Sequence, residues 1–219
     1  HPDVIQMLYE ANADLHHTTH AGGTALIWAA GTGQTSCIHT LMNLKADLHH
    51  RCNTGRTALM WAAKCGAVDT IDALISYGAK VHDLCPKIPR TESMGSGYQA
   101  LHLACREGQF AAVQALLRHG ADPDARDLNE TTPVMVAALF GHTQIIQTLI
   151  CHKADINGRD GVGQSPLLLA AKLGHVEAIQ TLVELGADVH LSCNRGSTAL
   201  QYASTGIHPG CPDTLCVLM

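Results

Sequence analysis

The sequence is poor in charge and in aromatic side chains. Charged residues make up 15% of the 219 residues, against roughly 25% in an ordinary soluble domain. Aromatic residues make up only 4%, as two Trp, four Tyr and two Phe. The hydrophobic 46% is therefore mostly small and aliphatic, and it is too large a share for a disordered chain. A core of that kind requires helices that approach each other closely.

Long hydrophobic runs and an excess of positive charge are also missing. The longest uninterrupted apolar run is the seven residues from Val134 to Phe140, whereas a membrane-spanning helix needs about 20. We therefore predict no direct insertion into a membrane. The net charge of −5 argues against a nucleic-acid partner, because phosphate binding calls for a basic surface or stripe.

Nine cysteines are present, but they lack the close, even spacing of a disulfide-stapled secreted domain. Several lie in apolar, helical contexts, as Cys37, Cys105 and Cys151 do. We expect reduced thiols and an intracellular, cytoplasmic location. The chain begins at His1 with no charged-then-apolar leader, so no signal peptide is visible, and we expect further chain before it.

An internal repeat dominates the sequence. A Thr-Ala-Leu type motif starts, at steps of 33, 42, 33, 33 and 33 residues, at Thr24, Thr57, Gln99, Thr132, Ser165 and Thr198. A second landmark is an alanine near the end of each unit, and its spacing is longer by the same nine residues at the same place. The sequence therefore predicts a 33-residue unit with a nine-residue insertion within residues 82–96, where Pro86 and Pro89 favour a protruding loop.

Each unit has the pattern of a helix, a turn, a second helix and a loop. The motif residues Thr24, Thr57, Thr132, Ser165 and Thr198 are good helix N-caps, whereas Gln99 is a poor one. A glycine follows nine residues after each cap and is expected to end the first helix, at Gly33, Gly66, Gly108, Gly141 and Gly174. Aliphatic residues at helical spacing then indicate a second, amphipathic helix.

This unit resembles the ankyrin repeat, which has a 33-residue period and a Thr-Pro-Leu-His-x-Ala signature. One repeat keeps the signature His, as His102, whereas the others have Ile27, Met60, Met135, Leu168 and Gln201. We expect those repeats to lack the hydrogen bond from the His to the capping residue. The resemblance implies an all-α ankyrin-repeat solenoid of stacked helix-turn-helix units with β-turn loops called fingers.

We expect residues 1–219 to form a single ankyrin repeat domain. The predicted units are a half repeat at 1–17, full repeats at 18–50, 51–92 with the insertion, 93–125, 126–158 and 159–191, and an irregular terminal repeat at 192–219.

Catalytic and metal sites were considered for the Cys and His residues. His102 and Cys105 lie three residues apart on one predicted helix, but His102 is the structural His of the repeat and Cys105 replaces a packing Ala. Four residues offer zinc-ligand chemistry without a standard spacing: Cys193, His208, Cys211 and Cys216. We predict no catalytic residue, no metal site and no cofactor.

The resemblance implies that partners bind in a concave groove lined by fingers and first helices. The residues predicted to bind a partner there are Arg56, Tyr98, Arg106, Arg126, Leu139, Phe140, Arg159, Lys172, Leu173 and Arg195. Arg and aromatic residues are the types enriched at binding hot spots. The alternative is structural: Phe140 folds onto the neighbouring repeat, and Arg126 and Arg159 pair with Asp127 and Asp160.

The predicted function is a non-catalytic protein–protein interaction module, a scaffold or adaptor that binds an extended or helical segment with acidic and apolar groups. The alternative is the substrate-targeting or regulatory arm of an enzyme (a ubiquitin ligase, a kinase or a bacterial effector) whose catalytic domain lies outside this sequence. Fold alone does not separate the two.

Overall fold

The structure, a computed structural model, describes residues 1–86 and 97–204. The chain divides into two compact units, unit 1 at residues 1–121 and unit 2 at residues 122–219. Within the described ranges, helices are the only regular elements apart from one isolated antiparallel bridge between Ser192 and Thr198. The all-α prediction is confirmed.

Unit 1 contains two stacks of short helices. Its helices are α1 (Pro2–Glu10), α2 (Ala25–Gly31), α3 (Thr35–Asn43), α4 (Ala58–Cys65), α5 (Val68–Ser76), α6 (Ala100–Arg106) and α7 (Phe110–Arg118). The first helices α2, α4 and α6 pack in one stack, and the second helices α1, α3, α5 and α7 pack in the other. Each first helix also packs on the second helix that follows it, so the core lies between the two stacks.

Unit 2 repeats the same arrangement. Its helices are α8 (Pro133–Leu139), α9 (Thr143–Cys151), α10 (Pro166–Leu173), α11 (Val176–Glu184) and α12 (Ala199–Ser204). The first helices α8, α10 and α12 pack in sequence, and so do the second helices α9 and α11. Their buried faces are aliphatic, for example Val134 and Ile146, as the small-residue composition predicts.

The predicted caps explain where the first helices begin. In every hydroxyl-capped repeat, the cap oxygen accepts the backbone N–H three residues later, as Thr57 Oγ1 does from Met60 at 3.4 Å. In the repeat that starts at Gln99, the bond runs in the other direction as well. There His102 Nδ1 accepts the Gln99 backbone N–H at 3.2 Å, which is the predicted structural role of this His.

One expectation about capping is wrong for two repeats. The Thr198 backbone N–H donates to Gln201 Oε1 at 2.8 Å, and the Thr132 backbone N–H donates to Met135 Sδ at 3.4 Å. Both side chains occupy the position of the signature His and carry an acceptor atom, so they reproduce its hydrogen bond. The hydrogen bond to the capping residue is absent, as expected, at the aliphatic Ile27 and Leu168, whose side chains have no acceptor atom.

The predicted glycine stops are confirmed. Gly66 and Gly174 end α4 and α10 with φ of 74° and 71°, in the left-handed region that glycine adopts without strain. In the other repeats the glycine lies one residue after the C-cap, also with positive φ.

We call the turn before each first helix a finger, and its backbone closure locates the insertion. The finger at 52–56 closes with a bond from Cys52 N–H to Arg56 C=O at 3.1 Å and encloses three residues. The equivalent bond from Cys85 N–H to Tyr98 C=O, at 2.9 Å, encloses twelve. The nine additional residues therefore lie inside this finger. The expected protrusion falls on residues 87–96, outside the described ranges, and the repeat boundaries stay a prediction.

Candidate functional site

The first two fingers of unit 2 are held by aspartates. Asp127 Oδ1 accepts the backbone N–H groups of Asn129 and Thr131 at 2.8 and 2.7 Å. Asp160 Oδ1 does the same in the next finger, at 3.0 and 2.7 Å. Charge-assisted bonds of this kind are about twice as strong as neutral ones, so the carboxylates fix the shape of each finger from within.

Arginines connect successive fingers. Arg126 Nη1 donates to the carbonyl of Arg159 at 3.0 Å, and Arg159 Nη2 donates to the carbonyl of Ser192 at 2.7 Å. Both bonds span 33 residues, one repeat. The alternative prediction, that these arginines pair with Asp127 and Asp160, is wrong, because those carboxylates take backbone N–H groups. The ion pair of Arg126 is with Glu130, at 3.5 Å.

Phe140 lies at the C-terminal end of α8, next to the half-buried Leu139. It is 36% exposed, and its ring stacks on His142 with centroids 6.4 Å apart and planes 16° apart. The Leu139 carbonyl faces His175 Nε2 at 3.0 Å, which ties the end of α8 to the start of α11. Phe140 is thus presented at the surface by fixed neighbours instead of being folded into the core.

A cleft of about 330 Å³ opens between the last two described fingers of unit 2. Two of the predicted residues, Lys172 and Arg195, line it, and both are exposed. The predicted Leu173 is half-buried beside Lys172. The remaining lining residues are Gly161, Val162, Gln164, Cys193, Asn194 and Tyr202, so none of the described residues that line the cleft is a carboxylate.

Cys193 is the titratable thiol of this cleft. The Tyr202 O–H donates to its sulfur at 3.6 Å, and this hydrogen bond lowers the pKa of Cys193 to about 7. A partly ionised thiol beside Lys172 and Arg195 gives the cleft a polar floor and a cationic rim.

In unit 1 one predicted contact residue is misplaced. Tyr98 was expected on the surface of a finger, but it is 4% exposed and its ring stacks on His102, with centroids 5.1 Å apart. The long finger begins at Cys85 and returns at Tyr98, where burying the aromatic ring against the imidazole stabilises the closure. Tyr98 is a packing residue, and the expectation of exposure is wrong.

The other predicted residues of unit 1, Arg56 and Arg106, are half-buried. Arg56 Cζ lies 5.5 Å from the centroid of the Trp61 ring, a cation–π distance. Arg56 Nε is buried and has no hydrogen-bond partner among the described residues, so the guanidinium group retains donor capacity.

The thiol of Cys105 is placed as a packing group. Cys105 is fully buried, and burial raises the pKa of its thiol, while His102 Nδ1 is occupied by the Gln99 N–H. Within residues 1–86 and 97–204, no three His, Cys, Asp or Glu side chains cluster as metal ligands. Of the four zinc-ligand candidates, His208, Cys211 and Cys216 lie outside the described ranges.

The sequence analysis missed the two tryptophans. Trp28 on α2 and Trp61 on α4 lie 33 residues apart, and each lies four residues after its N-cap. Trp28 is 59% exposed. A signal for this pair was available in the sequence, because the only two Trp residues of the chain occupy the same position in successive repeats. Helical periodicity alone does not indicate that the Trp28 ring is exposed.

The comparison with protein families decides the identity of this fold. The family described as "Ankyrin repeats (3 copies)" matches residues 1–85 and 81–160, and "Ankyrin repeats (many copies)" matches residues 149–203. The chain belongs to the ankyrin repeat family. The ankyrin repeat domain of human ASB11 has a similar crystal structure, with a TM-score of 0.81, 21% identity and coverage of 99% of this chain and 92% of that one.

Known proteins match this chain over short segments. The potassium channel AKT3 of Oryza sativa subsp. japonica is 45% identical over 51 residues, 23% of this chain and 6% of the channel. Human ankyrin repeat and SOCS box protein 3 is 55% identical over 38 residues, 17% of this chain and 7% of that protein. The matched segments are thus small parts of these relatives. No helix in the described part of this chain has the length and apolarity to cross a membrane.

Proposed function

We propose that this chain is a non-catalytic protein–protein interaction module, a scaffold or adaptor that binds a partner segment bearing acidic and apolar groups. Ankyrin repeats are protein-interaction modules, which supports the general class. The observation that carries the specific proposal is the cleft of unit 2, where Lys172 and Arg195 form the rim and Val162 and Tyr202 supply apolar surface.

The charge of this cleft selects its ligand. Two exposed cations, with no carboxylate among the described lining residues, attract an anionic group, although the whole chain has a net charge of −5. A volume of about 330 Å³ is at the low end of the roughly 300–1,000 Å³ range of ligand pockets, so it suits a few side chains of a peptide. Arg126 and Arg159 use part of their donors for the fingers, but both stay exposed.

Phe140 supplies the apolar part of the proposed surface. An exposed aromatic ring whose position is fixed by His142 loses little conformational entropy when a partner covers it. Aromatic residues held in this way are typical hot spots. Leu139 and Leu173, at the ends of α8 and α10, extend the apolar surface.

We further propose a reducing, cytoplasmic location and no nucleic-acid partner. The seven cysteines within the described ranges are all free, five of them buried and two, Cys65 and Cys151, exposed. Exposed thiols persist in compartments where thiols are kept reduced.

A second candidate function is the targeting or regulatory arm of an enzyme whose catalytic domain lies outside this sequence, such as a ubiquitin ligase, a kinase or a bacterial effector. It is favoured by two relatives whose names join ankyrin repeats to another domain, a KH domain in one and a SOCS box in the other. Binding to the same surface is required in both cases. The second candidate function requires catalytic activity in a form of the protein longer than these 219 residues, and that activity must be lost on truncation to this chain. The first candidate function requires no such activity.

The experiment is a kinetic binding assay with a protein partner captured by the 219-residue chain. Phe140→Ala is expected to speed dissociation and to weaken binding by about 2 kcal/mol or more, since it removes a desolvated anchor. Arg195→Glu is expected to slow association and to flatten its salt dependence, because exposed charges mainly steer the encounter.

The matched control is Glu184→Lys, a charge reversal at an exposed position at the end of α11. It is expected to bind like the unmodified chain. If Glu184→Lys weakens binding while Phe140→Ala and Arg195→Glu bind normally, the partner lies on the second helices, and the proposed surface is wrong.

A further inference from the structure

Unit 1 contains an apolar pocket that the proposed surface of unit 2 does not include. It has a volume of about 270 Å³ and is lined by Ala21, Ile27, Trp28, Gly31, Thr32, Trp61 and Cys65. The two indole rings come from adjacent first helices, α2 and α4, which pack against each other. Gly31 also lines the pocket, and a Cβ atom there would lie 3.9 Å from the Trp61 ring, an ordinary contact distance.

Trp28 is exposed at a position where its equivalents on α8 and α10 are buried. Its equivalents in unit 2, Val136 and Leu169, are buried aliphatic residues on α8 and α10. A tryptophan that is 59% exposed leaves a large apolar area in water, and such exposed apolar surfaces are typical of interaction sites.

Two cationic side chains lie close to the Trp61 ring, which lines the pocket. Arg56 Cζ lies 5.5 Å and Lys64 Nζ 5.1 Å from the centroid of its ring. None of the described residues that line the pocket is acidic. The pocket is therefore apolar inside and positively charged at one side.

We propose that this Trp pocket binds a protein segment that inserts one apolar side chain between Trp28 and Trp61 and places a carboxylate beside Arg56 and Lys64. A cationic ligand is disfavoured, because two cations already occupy the neighbourhood of the Trp61 ring. A pocket of about 270 Å³ is below the roughly 300–1,000 Å³ range of sites that enclose a drug-sized molecule, so a single side chain suits it better.

The inference rests on the proposed function, that the chain binds other proteins, but it names a separate anchor on unit 1. Aromatic side chains in a preformed pocket supply much of the binding energy at interfaces, and the surrounding charges fix orientation. The structure therefore assigns the apolar anchor to the Trp pocket and the charge selection to Arg56 and Lys64.

The test is selection of peptides from a random twelve-residue phage-display library on the 219-residue chain. The expected binders contain an apolar residue with Asp or Glu nearby. For these peptides, Trp28→Ala is expected to raise Kd by at least about 30-fold, and Lys64→Gln by a few-fold with a weaker salt dependence. The matched controls are Tyr9→Ala, an exposed aromatic on α1, and Lys80→Gln, an exposed lysine, and both are expected to leave Kd unchanged.

Intrinsic fluorescence provides a second readout, because Trp28 and Trp61 are the only tryptophans in the chain. Binding of a selected peptide is expected to shift the emission to shorter wavelength, as the exposed Trp28 ring leaves water. Trp28→Ala is expected to abolish most of that shift.

Three outcomes overturn the inference. Peptides that are basic, or that bind Trp28→Ala as tightly as the unmodified chain, show that the Trp pocket is not the anchor. If Phe140→Ala or Arg195→Glu instead weakens the binding of such peptides, the proposed function of unit 2 is supported and the proposal for the Trp pocket is contradicted. If no peptide is selected, both the inference and the proposed function are contradicted.

Discussion

Unit 1 and unit 2 place different side chains at the same positions of one repeat. Four residues after the N-cap, unit 1 has Trp28 and Trp61 as well as the buried Leu103, whereas unit 2 has the buried Val136 and Leu169 and the half-buried Tyr202. The helices themselves begin with the same Thr or Ser hydroxyl bond in both units. The backbone framework is thus insensitive to this position, and its side chains are available for recognition.

The fingers differ in the same way. The finger of unit 2 that starts at Asp127 is held by a carboxylate that accepts two backbone N–H groups. In unit 1 the equivalent position is Cys52, whose sulfur lies 3.0 Å from Thr54 Oγ1. Burial raises the pKa of Cys52, but hydrogen bonds, among them the one with Thr54, outweigh it and lower the pKa overall. The finger at Cys52 therefore closes mainly with backbone bonds, whereas the two fingers of unit 2 that start at Asp127 and Asp160 add charge-assisted bonds.

The largest expected effect is on the free energy of unfolding, and it separates two residues at the same repeat position of unit 1. Leu103→Ala is expected to reduce the free energy of unfolding by about 2–5 kcal/mol, because Leu103 is 1% exposed and its loss leaves a cavity. Trp28→Ala is expected to cost less than about 1 kcal/mol, because most of its ring already faces water. Urea unfolding measures both. Equal losses would make Trp28 a core residue and remove the basis of the Trp pocket.

The next largest effect on the free energy of unfolding separates a finger held by an aspartate from a finger that has a cysteine at the same position. Asp127→Ala is expected to cost about 1.5–3 kcal/mol of unfolding free energy, because two backbone N–H groups lose a charged acceptor. Cys52→Ala is expected to cost about 1 kcal/mol, the contribution of a neutral hydrogen bond. Hydrogen exchange of the amide of Thr131 is the local readout. Unchanged protection of that amide in Asp127→Ala would show that the carboxylate does not hold the finger.

Thiol titration compares Cys193 in unit 2 with Cys105 in unit 1. The rate of Cys193 alkylation by iodoacetamide is expected to be half-maximal near pH 7, because the Tyr202 hydrogen bond stabilises the thiolate. The thiolate forms as pH rises through this pKa and is lost below it. Tyr202→Phe is expected to move the profile to higher pH by about one unit or more. Cys105, buried with a raised pKa, serves as the unreactive reference in peptide mass spectrometry.

The smallest expected effect concerns ion pairs in the fingers. Arg126–Glu130 is long, at 3.5 Å, with side chains 48% and 63% exposed, so Glu130→Gln is expected to cost less than about 0.5 kcal/mol. Arg51–Asp83 in unit 1 is shorter, at 3.1 Å, and less exposed, so Asp83→Asn is expected to cost more, up to about 1 kcal/mol. Thermal unfolding at low and high salt tests the order. A larger loss for Glu130→Gln would reverse the comparison.

Much of the fold was predictable because the repeat carries local signals. The caps at Thr24 and Thr57 and the glycine stop at Gly66 act within one or two helical turns, so a single sequence specifies them. The bond of Gln201 to the Thr198 N–H was missed because the signature was treated as a requirement for His, whereas the physical requirement is an acceptor atom.

The candidate site was less predictable, because exposure depends on neighbours 33 residues away. Tyr98 was assigned to the surface from its place in the repeat, yet it stacks on His102. Arg126 and Arg159 were correctly placed in the fingers, but their acceptors, the carbonyls of Arg159 and Ser192, belong to the next repeat. Sequence spacing identifies equivalent positions but does not report which donor meets which acceptor.

The sequence by itself determined the repeat length, the helix-turn-helix pattern, the capping residues and the ankyrin family of this chain. Those features follow from hydrogen bonds between residues three or four apart and from the conformational freedom of glycine. Only the tertiary structure decided that Trp28 is exposed, that Tyr98 is buried and that Lys172 and Arg195 line one cleft. Exposure and clefts depend on how each repeat packs on the next, and that packing depends on side-chain volumes that no local pattern encodes.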